Sequence, residues 1–162
     1  NYYVEILSII EKDPERAEKE LKKLSNLDKK NYKNLSNLMI FKVQYQNKNL
    51  EESLKTLKKI EGNVKNNSNF SKIIKYYFAQ VYLDQQNKTN FDTVTNELLS
   101  FGGMWAMLSY ELRGHYLFRI KNYEASLKNF NQIINNQQAS NAVASRALEM
   151  IENINLYYEK LD

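Results

Sequence analysis

The residues of this chain whose types could do chemistry gather in one short stretch, residues 112–120. It contains the only histidine, His115, and two of the four arginines, Arg113 and Arg119. On a helix, His115 shares a face with Glu111, and an imidazole beside a carboxylate can act as a general base. However, the sequence shows no nucleophile or second metal ligand at a matching spacing. We therefore expect no enzymatic activity, no cofactor and no metal, and interpret the stretch first as packing.

The two arginines of this stretch have structural interpretations. Arg113 and Arg119 could pair with Glu111 or Glu124 across a helix hairpin, or extend their stems over its apolar surface. A phosphate site is not expected, because no glycine-rich backbone accompanies them.

The composition bounds the architecture that must position these residues. The chain has 162 residues, of which 43% are hydrophobic and 26% charged, values typical of one soluble, folded domain over residues 1–162. One proline and four glycines argue against a β-sandwich or a glycine-rich nucleotide fold. The absence of cysteine excludes disulfides, thiol nucleophiles and cysteine-ligated zinc from this sequence. We therefore expect the secondary structure to be mainly α-helical.

The net charge of +4 comes from lysines that alternate with glutamates along the chain. Such interleaving is typical of a solvated helical surface, whereas a phosphate-binding face clusters its cations, so we expect no nucleic-acid partner. No run of about 18 apolar residues occurs. Because the first residue is Asn1, an N-terminal membrane anchor would have to lie upstream.

Apolar residues recur at spacings of three and four almost throughout, which predicts successive amphipathic helices. The predicted helices span about residues 2–11, 14–26, 30–46, 50–61, 70–86, 91–101, 104–120, 123–135 and 140–161. Asn49 and Asn90 are predicted N-caps, and Gly62 and the Gly102-Gly103 pair are predicted helix ends. Pairing neighbours gives hairpins over residues 2–26, 30–61, 70–101 and 104–135.

The second helix of each pair repeats one pattern, a large residue, a smaller one three later and a large one four after that. It occurs at Pro14, Ala17 and Leu21; at Leu50, Ser53 and Leu57; at Phe91, Val94 and Leu98; and at Tyr123, Ser126 and Phe130. The last members lie 36, 41 and 32 residues apart, near the roughly 34-residue period of tetratricopeptide (TPR) repeats. We predict an all-α, TPR-like α-solenoid of about four hairpins, covered at one end by a C-terminal capping helix.

A family resemblance strengthens this interpretation. The final hairpin carries Gly114, Tyr123, Ser126 and Phe130 in the small, aromatic, small and aromatic order of a TPR unit. Residues 105–154, from Trp105 through the Arg146-Ala147-Leu148-Glu149 run, resemble the C-terminal half of a bacterial TPR-like family of single-pass membrane proteins. That family includes the ancillary subunit of the Sec translocon, the YfgM-like proteins. The resemblance implies an inner-membrane anchor, a periplasmic domain, and contacts with the translocon or periplasmic chaperones.

A partner groove follows from the hairpin geometry. Gly114 marks the face of its helix that meets the partner helix, which leaves Leu108, Glu111, His115 and Phe118 on the groove side. The corresponding groove residues of the two earlier helices are Leu35, Leu38, Lys42 and Tyr45, and Ile73, Tyr76, Gln80 and Leu83. A groove of this composition suits a peptide or a helix of another protein.

Several alternatives to this groove stay open. The same side chains could instead complete the core of a small solenoid. Three alternatives concern the function as a whole. The chain could be a basic helical-repeat protein that binds nucleic acid, a cytosolic scaffold protein, or a protein that associates with itself.

Overall fold

The computed structural model describes residues 30–159 and three isolated positions, Arg16, Lys19 and Lys22. Seven α-helices and no strand occur in residues 30–159: α1 Lys30–Gln46, α2 Leu50–Glu61, α3 Asn69–Asp84, α4 Lys88–Ser100, α5 Gly103–Arg119, α6 Tyr123–Ile134 and α7 Asn141–Glu159. The predicted all-α class is confirmed for this part of the chain. The predicted hairpin over residues 2–26 lies outside the described residues, except that the three isolated positions are helical.

The helix ends follow the sequence signals, with two corrections. Asn49 occupies the N-cap of α2, but its side chain makes no capping hydrogen bond. The predicted cap Asn90 is wrong, because α4 begins three residues before Phe91 and the side chain of Asn87 caps it. The first turn of α4 is polar, so the apolar pattern begins later than the helix. The predicted stop at Gly102 is confirmed, since its φ of 66° is a conformation that glycine adopts freely.

The chain divides into two compact units, residues 1–85 and 86–162. In the first unit, α2 packs against both α1 and α3. The core of the described part of this unit holds fully buried side chains from all three helices, namely Phe41, Val43, Leu57, Ile60 and Ile74. The predicted hairpin over residues 70–101 crosses the boundary, so its two helices belong to different units.

In the second unit, α5 packs between α4 and α6, and α7 packs mainly on α6. The apolar core lies among α5, α6 and α7 and includes Met107, Phe130, Ile133, Ala147 and Ile154. Consequently α7 covers apolar surface of the α5–α6 hairpin. None of the helices in the described range is long and apolar enough to cross a bilayer.

The second helix of each predicted pair within residues 30–159 buries residues at i, i+4 and i+7. These are Ser53, Leu57 and Ile60 in α2; Phe91, Thr95 and Leu98 in α4; and Ser126, Phe130 and Ile133 in α6. The small residue predicted for α4 is therefore wrong, because Thr95 is fully buried while Val94 is only partly buried. The hydroxyl of Ser109 on α5 donates to the carbonyl oxygen of Thr95 at 2.8 Å, which brings the two helices close together.

Candidate functional site

The groove residues predicted on α1 keep part of their surface open. Leu35 is 39% exposed, and Leu38 and Lys42 are partly buried. The hydroxyl of Tyr45 donates a hydrogen bond of 2.6 Å to the Asp84 carboxylate at the end of α3. This bond ties α1 to α3 within the first unit, and it leaves an aliphatic surface at the other end of the predicted face.

The groove residues predicted on α3 combine aromatic and amide groups. Ile73, Tyr76 and Gln80 are partly buried, whereas Leu83 is 6% exposed and belongs to the core. The amide of Gln80 donates to the hydroxyl of Tyr76 at 3.2 Å, which fixes two groove side chains to each other. The Tyr76 ring also lies 5.9 Å from that of Tyr77.

The groove residues predicted on α5 lie in the second unit and contact α7. Glu111 is 5% exposed, and its two carboxylate oxygens accept hydrogen bonds of 2.6 and 2.9 Å from the guanidinium of Arg146. Phe118 lies 5.8 Å from Tyr157 and 5.5 Å from Tyr123. The C-terminal helix therefore contacts the face on which the sequence places a partner.

Leu108 and His115 complete that face. Leu108 is partly buried and packs against the core of the second unit. The ring of His115 meets Phe130 edge-on, with 5.3 Å between ring centroids. Burial lowers the pKa of His115, although the carboxylate of Glu111 opposes the shift. The charges of Arg119 and Arg146 act in the same direction as burial, so the neutral imidazole is favoured.

The four predicted repeat residues of the final hairpin make contacts among α5, α6 and α7. The Ser126 hydroxyl donates to the carbonyl oxygen of Gly114 at 2.8 Å. A Cβ built on Gly114 would lie 2.6 Å from Cζ of Phe130, so only glycine leaves room for that ring. Tyr123 stacks on Tyr157 of α7 with 5.7 Å between centroids. These contacts fix the approach of α5 to α6 and the position of α7 beside them.

A cleft of about 520 Å³, which the sequence analysis missed, lies among α4, α5 and α6. Its α5 side is formed by Arg113, Tyr116, Leu117 and Ile120, at the i, i+3, i+4 and i+7 spacing of one helix face. This face differs from the predicted groove face of the same helix. The spacing was visible in the sequence, but only the position of α4 makes the face concave.

The pairings suggested for Arg113 are wrong. Its Nε donates to the hydroxyl of Thr95 at 3.1 Å, and its Nη2 donates to Oδ1 of Asn96 at 2.6 Å. Glu111 pairs with Arg146 instead, and Glu124 pairs with Lys128 one turn later on α6. Arg113 therefore links α5 to α4, which a pattern within one hairpin does not reveal.

Comparison with known proteins places the chain in a family. The family model described as a tetratricopeptide repeat-like domain matches residues 1–154. The chain belongs to the tetratricopeptide repeat-like family. No curated protein and no solved structure matches the chain.

Membership of the TPR-like family accounts for the packing of the α5–α6 hairpin and confirms the predicted fold class. TPR-like domains typically bind other proteins and are typically non-catalytic. The described residues contain no group of three His, Asp or Glu side chains that could hold a metal ion. Within residues 30–159, the TPR-like chain keeps partly exposed apolar side chains on α1 and α3 and in the cleft beside α4.

Proposed function

We propose that this TPR-like chain is a protein-binding domain whose α1 and α3 faces receive a peptide or helix of a partner. The observation that carries this proposal is the TPR-like family match over residues 1–154. The partly open Leu35, Leu38, Ile73 and Tyr76 side chains support it, because apolar and aromatic groups on a helical-repeat face provide anchoring contacts.

The charged surface of the described helices supports a protein partner over a nucleic acid. Lys55 pairs with Glu52, Lys88 with Asp92 and Lys128 with Glu124, each along one helix. Cations that are neutralised in this way do not form the continuous basic stripe that a phosphate backbone requires.

For the cellular setting, we propose the periplasmic side of the inner membrane, close to the Sec translocon and its chaperones. The basis is the resemblance of residues 105–154 to the YfgM-like proteins, which implies an anchor ahead of Asn1. The chain as given has no cysteine, so a Lys59→Cys variant of the full-length protein offers one defined site for a membrane-impermeant maleimide. Labelling after permeabilising only the outer membrane is expected. Labelling that requires rupture of the inner membrane contradicts the periplasmic setting.

The partner is identified by photo-crosslinking in cells. A photoreactive amino acid is placed at Leu35, on the predicted face, and separately at Lys59, which is exposed on α2. We expect cross-links to a translocon subunit or a periplasmic chaperone from position 35 and not from position 59. Cross-links to cytosolic proteins alone overturn the setting, and identical products from both positions overturn the face.

A further inference from the structure

The cleft among α4, α5 and α6 has an apolar floor. The rings of Phe91 and Tyr116 stack there with 5.1 Å between centroids, and Leu117 lies beside them. Ile120, at the end of the same α5 face, is 52% exposed although its side chain is aliphatic. A partner's aliphatic side chain placed over Leu117 and Ile120 would remove that surface from water.

The wall of the cleft presents a cation with unused hydrogen-bond capacity. Arg113 employs Nε and Nη2 to hold Thr95 and Asn96, while its Nη1 donates to none of the described residues. None of the carboxylates in residues 30–159 lies within ion-pair distance of Arg113, and burial lowers the pKa of its guanidinium, although the charge of nearby Asp92 opposes that shift. A half-desolvated guanidinium stays charged and is stabilised best by an anion that accepts from its fork of N–H groups.

Two asparagines extend this donor-rich wall. Oδ1 of Asn96 accepts from Arg113, and Oδ1 of Asn122 accepts from the backbone N–H of Ala125. Each of these two asparagines keeps an amide NH₂ that can donate to a ligand. The NH₂ of Asn129, which also lines the cleft, donates to the carbonyl oxygen of Ala125 and leaves its Oδ1 as an acceptor. A ligand that supplies acceptors therefore fits this wall better than one that supplies donors.

The one acidic side chain that lines the cleft does not cancel this preference. Asp92 accepts a hydrogen bond from Lys88 one turn earlier on α4, so these two opposite charges neutralise each other. With Arg113 added, the lining residues carry a net charge of one positive unit. Charge complementarity thus favours a single carboxylate.

The spacing of the wall and floor fits an extended peptide. Arg113 and Leu117 are one helical turn apart, about 6 Å along the α5 axis. Side chains at positions i and i+2 of an extended strand point to the same side about 6.7 Å apart, close to that separation. We propose that the cleft binds an extended segment of a partner protein in which an aspartate or glutamate and an aliphatic residue are separated by one position. The carboxylate meets Arg113, and the aliphatic side chain covers Leu117 and Ile120.

This proposal builds on the protein-binding function but concerns a different surface from the α1 and α3 faces. Substitutions in the cleft and substitutions on those faces therefore test the two proposals separately. Loss of cross-linking at Leu35 leaves the cleft proposal standing, and loss of peptide binding in the cleft leaves the α1 and α3 proposal standing.

The test uses a fluorescent glycine-serine decapeptide, capped at both ends, with leucine and aspartate separated by one residue at its centre. Binding to the whole chain is measured by fluorescence anisotropy. Arg113→Gln is expected to weaken binding about tenfold or more, the usual scale for a charge-assisted hydrogen bond. Lys59→Gln removes the same charge from α2 and should leave binding unchanged. Equal loss in both variants means that only net charge matters and overturns the proposal.

Because Arg113 also links α4 to α5, its substitution could weaken binding by unfolding the protein. A second variant controls for this effect. Ile120→Ser alters only a half-exposed aliphatic group and is expected to weaken binding about fivefold with unchanged circular dichroism. A peptide with asparagine for aspartate, and one with leucine and aspartate adjacent, should each bind at least fivefold more weakly. Equal binding of all three peptides overturns the proposal.

Two further measurements, competition binding and sedimentation, distinguish two other possible occupants. Competition by free isocaproate as effective as competition by the unlabelled peptide would assign the cleft to a small organic acid. Self-association in sedimentation that Ile120→Ser abolishes would assign it to a second copy of this chain. Either result overturns the peptide proposal.

Discussion

The ring of Phe130 on α6 lies directly over Gly114 on α5, so close that a Cβ on Gly114 would sit 2.6 Å from Cζ of the ring. Phe130 is fully buried, and its ring also meets the edge of His115. The approach of α5 to α6 thus depends on the absence of one carbon atom.

Gly114→Ala is expected to destabilise the protein by about 1–3 kcal/mol, because the overpacked methyl group must displace a buried ring. This cost exceeds the gain of up to about 1 kcal/mol that alanine brings to a helix interior. Urea unfolding measures the difference. Gly62→Ala is the control, since Gly62 has right-handed helical angles and its added Cβ would meet nothing closer than 3.6 Å. Similar losses in both variants contradict the steric explanation, and Phe130→Leu should partly rescue Gly114→Ala.

Arg146→Ala is expected to cost about 2 kcal/mol of unfolding free energy, because it leaves the buried carboxylate of Glu111 without its bidentate partner. Arg146 is itself half exposed, so the loss should fall below that of a fully buried pair. Lys128→Ala, which breaks the exposed pair with Glu124, should cost less than about 0.5 kcal/mol. If Glu111→Gln combined with Arg146→Ala is no more stable than Arg146→Ala alone, an unpaired charge is not the cause.

Acidification is expected to weaken the fold through His115. Burial lowers the pKa of His115 in the folded state, so the unfolded chain binds the proton more readily. Stability is therefore complete above the unfolded pKa, near 6.5, and falls as the pH drops from there toward the folded pKa. Urea midpoints at pH 7.5 and 5.5 measure the effect. His115→Gln should flatten the decrease, and an unchanged decrease in this variant assigns the effect to carboxylates.

The two asparagine N-caps should differ in their contribution to stability. Asn122→Ala is expected to cost about 1 kcal/mol, because its Oδ1 accepts from the backbone N–H of Ala125 at the start of α6. Asn49→Ala should cost only a few tenths of a kcal/mol, because Asn49 occupies the N-cap of α2 without a side-chain bond. Thermal unfolding of the two variants compares them directly, and equal losses argue that backbone conformation rather than the side-chain bond sets the preference for asparagine.

The helices were predictable because their signals are local. The spans of α1 and α2 agree with the predicted ones, and α6 begins at Tyr123 as predicted. The error at α4 has a local cause as well, since a polar first turn hides a helix start from an analysis of apolar spacing. The predicted Val94 packing position failed with it, because the buried face of α4 runs through Thr95.

The binding surfaces were less predictable, because a face of one helix becomes a groove only through its neighbours. Glu111 and Phe118 share the predicted face of α5 with His115, but α7 supplies partners for both. Leu35 and Tyr76 keep open surface in the first unit. That these residues bind a partner stays a prediction, which the cross-linking experiment tests.

The sequence by itself determined the all-α class and the approximate positions of the described helices, because apolar periodicity and helix-end signals act over a few residues. The tertiary structure decided the partner of Glu111, which lies 35 residues away at Arg146, and the link from Arg113 to Asn96, 17 residues back. It also decided that the Arg113 face of α5 is concave. Such contacts depend on how whole helices pack. Helix faces with similar sequence patterns can therefore become part of the core, form an ion pair with another helix, or line an open cleft.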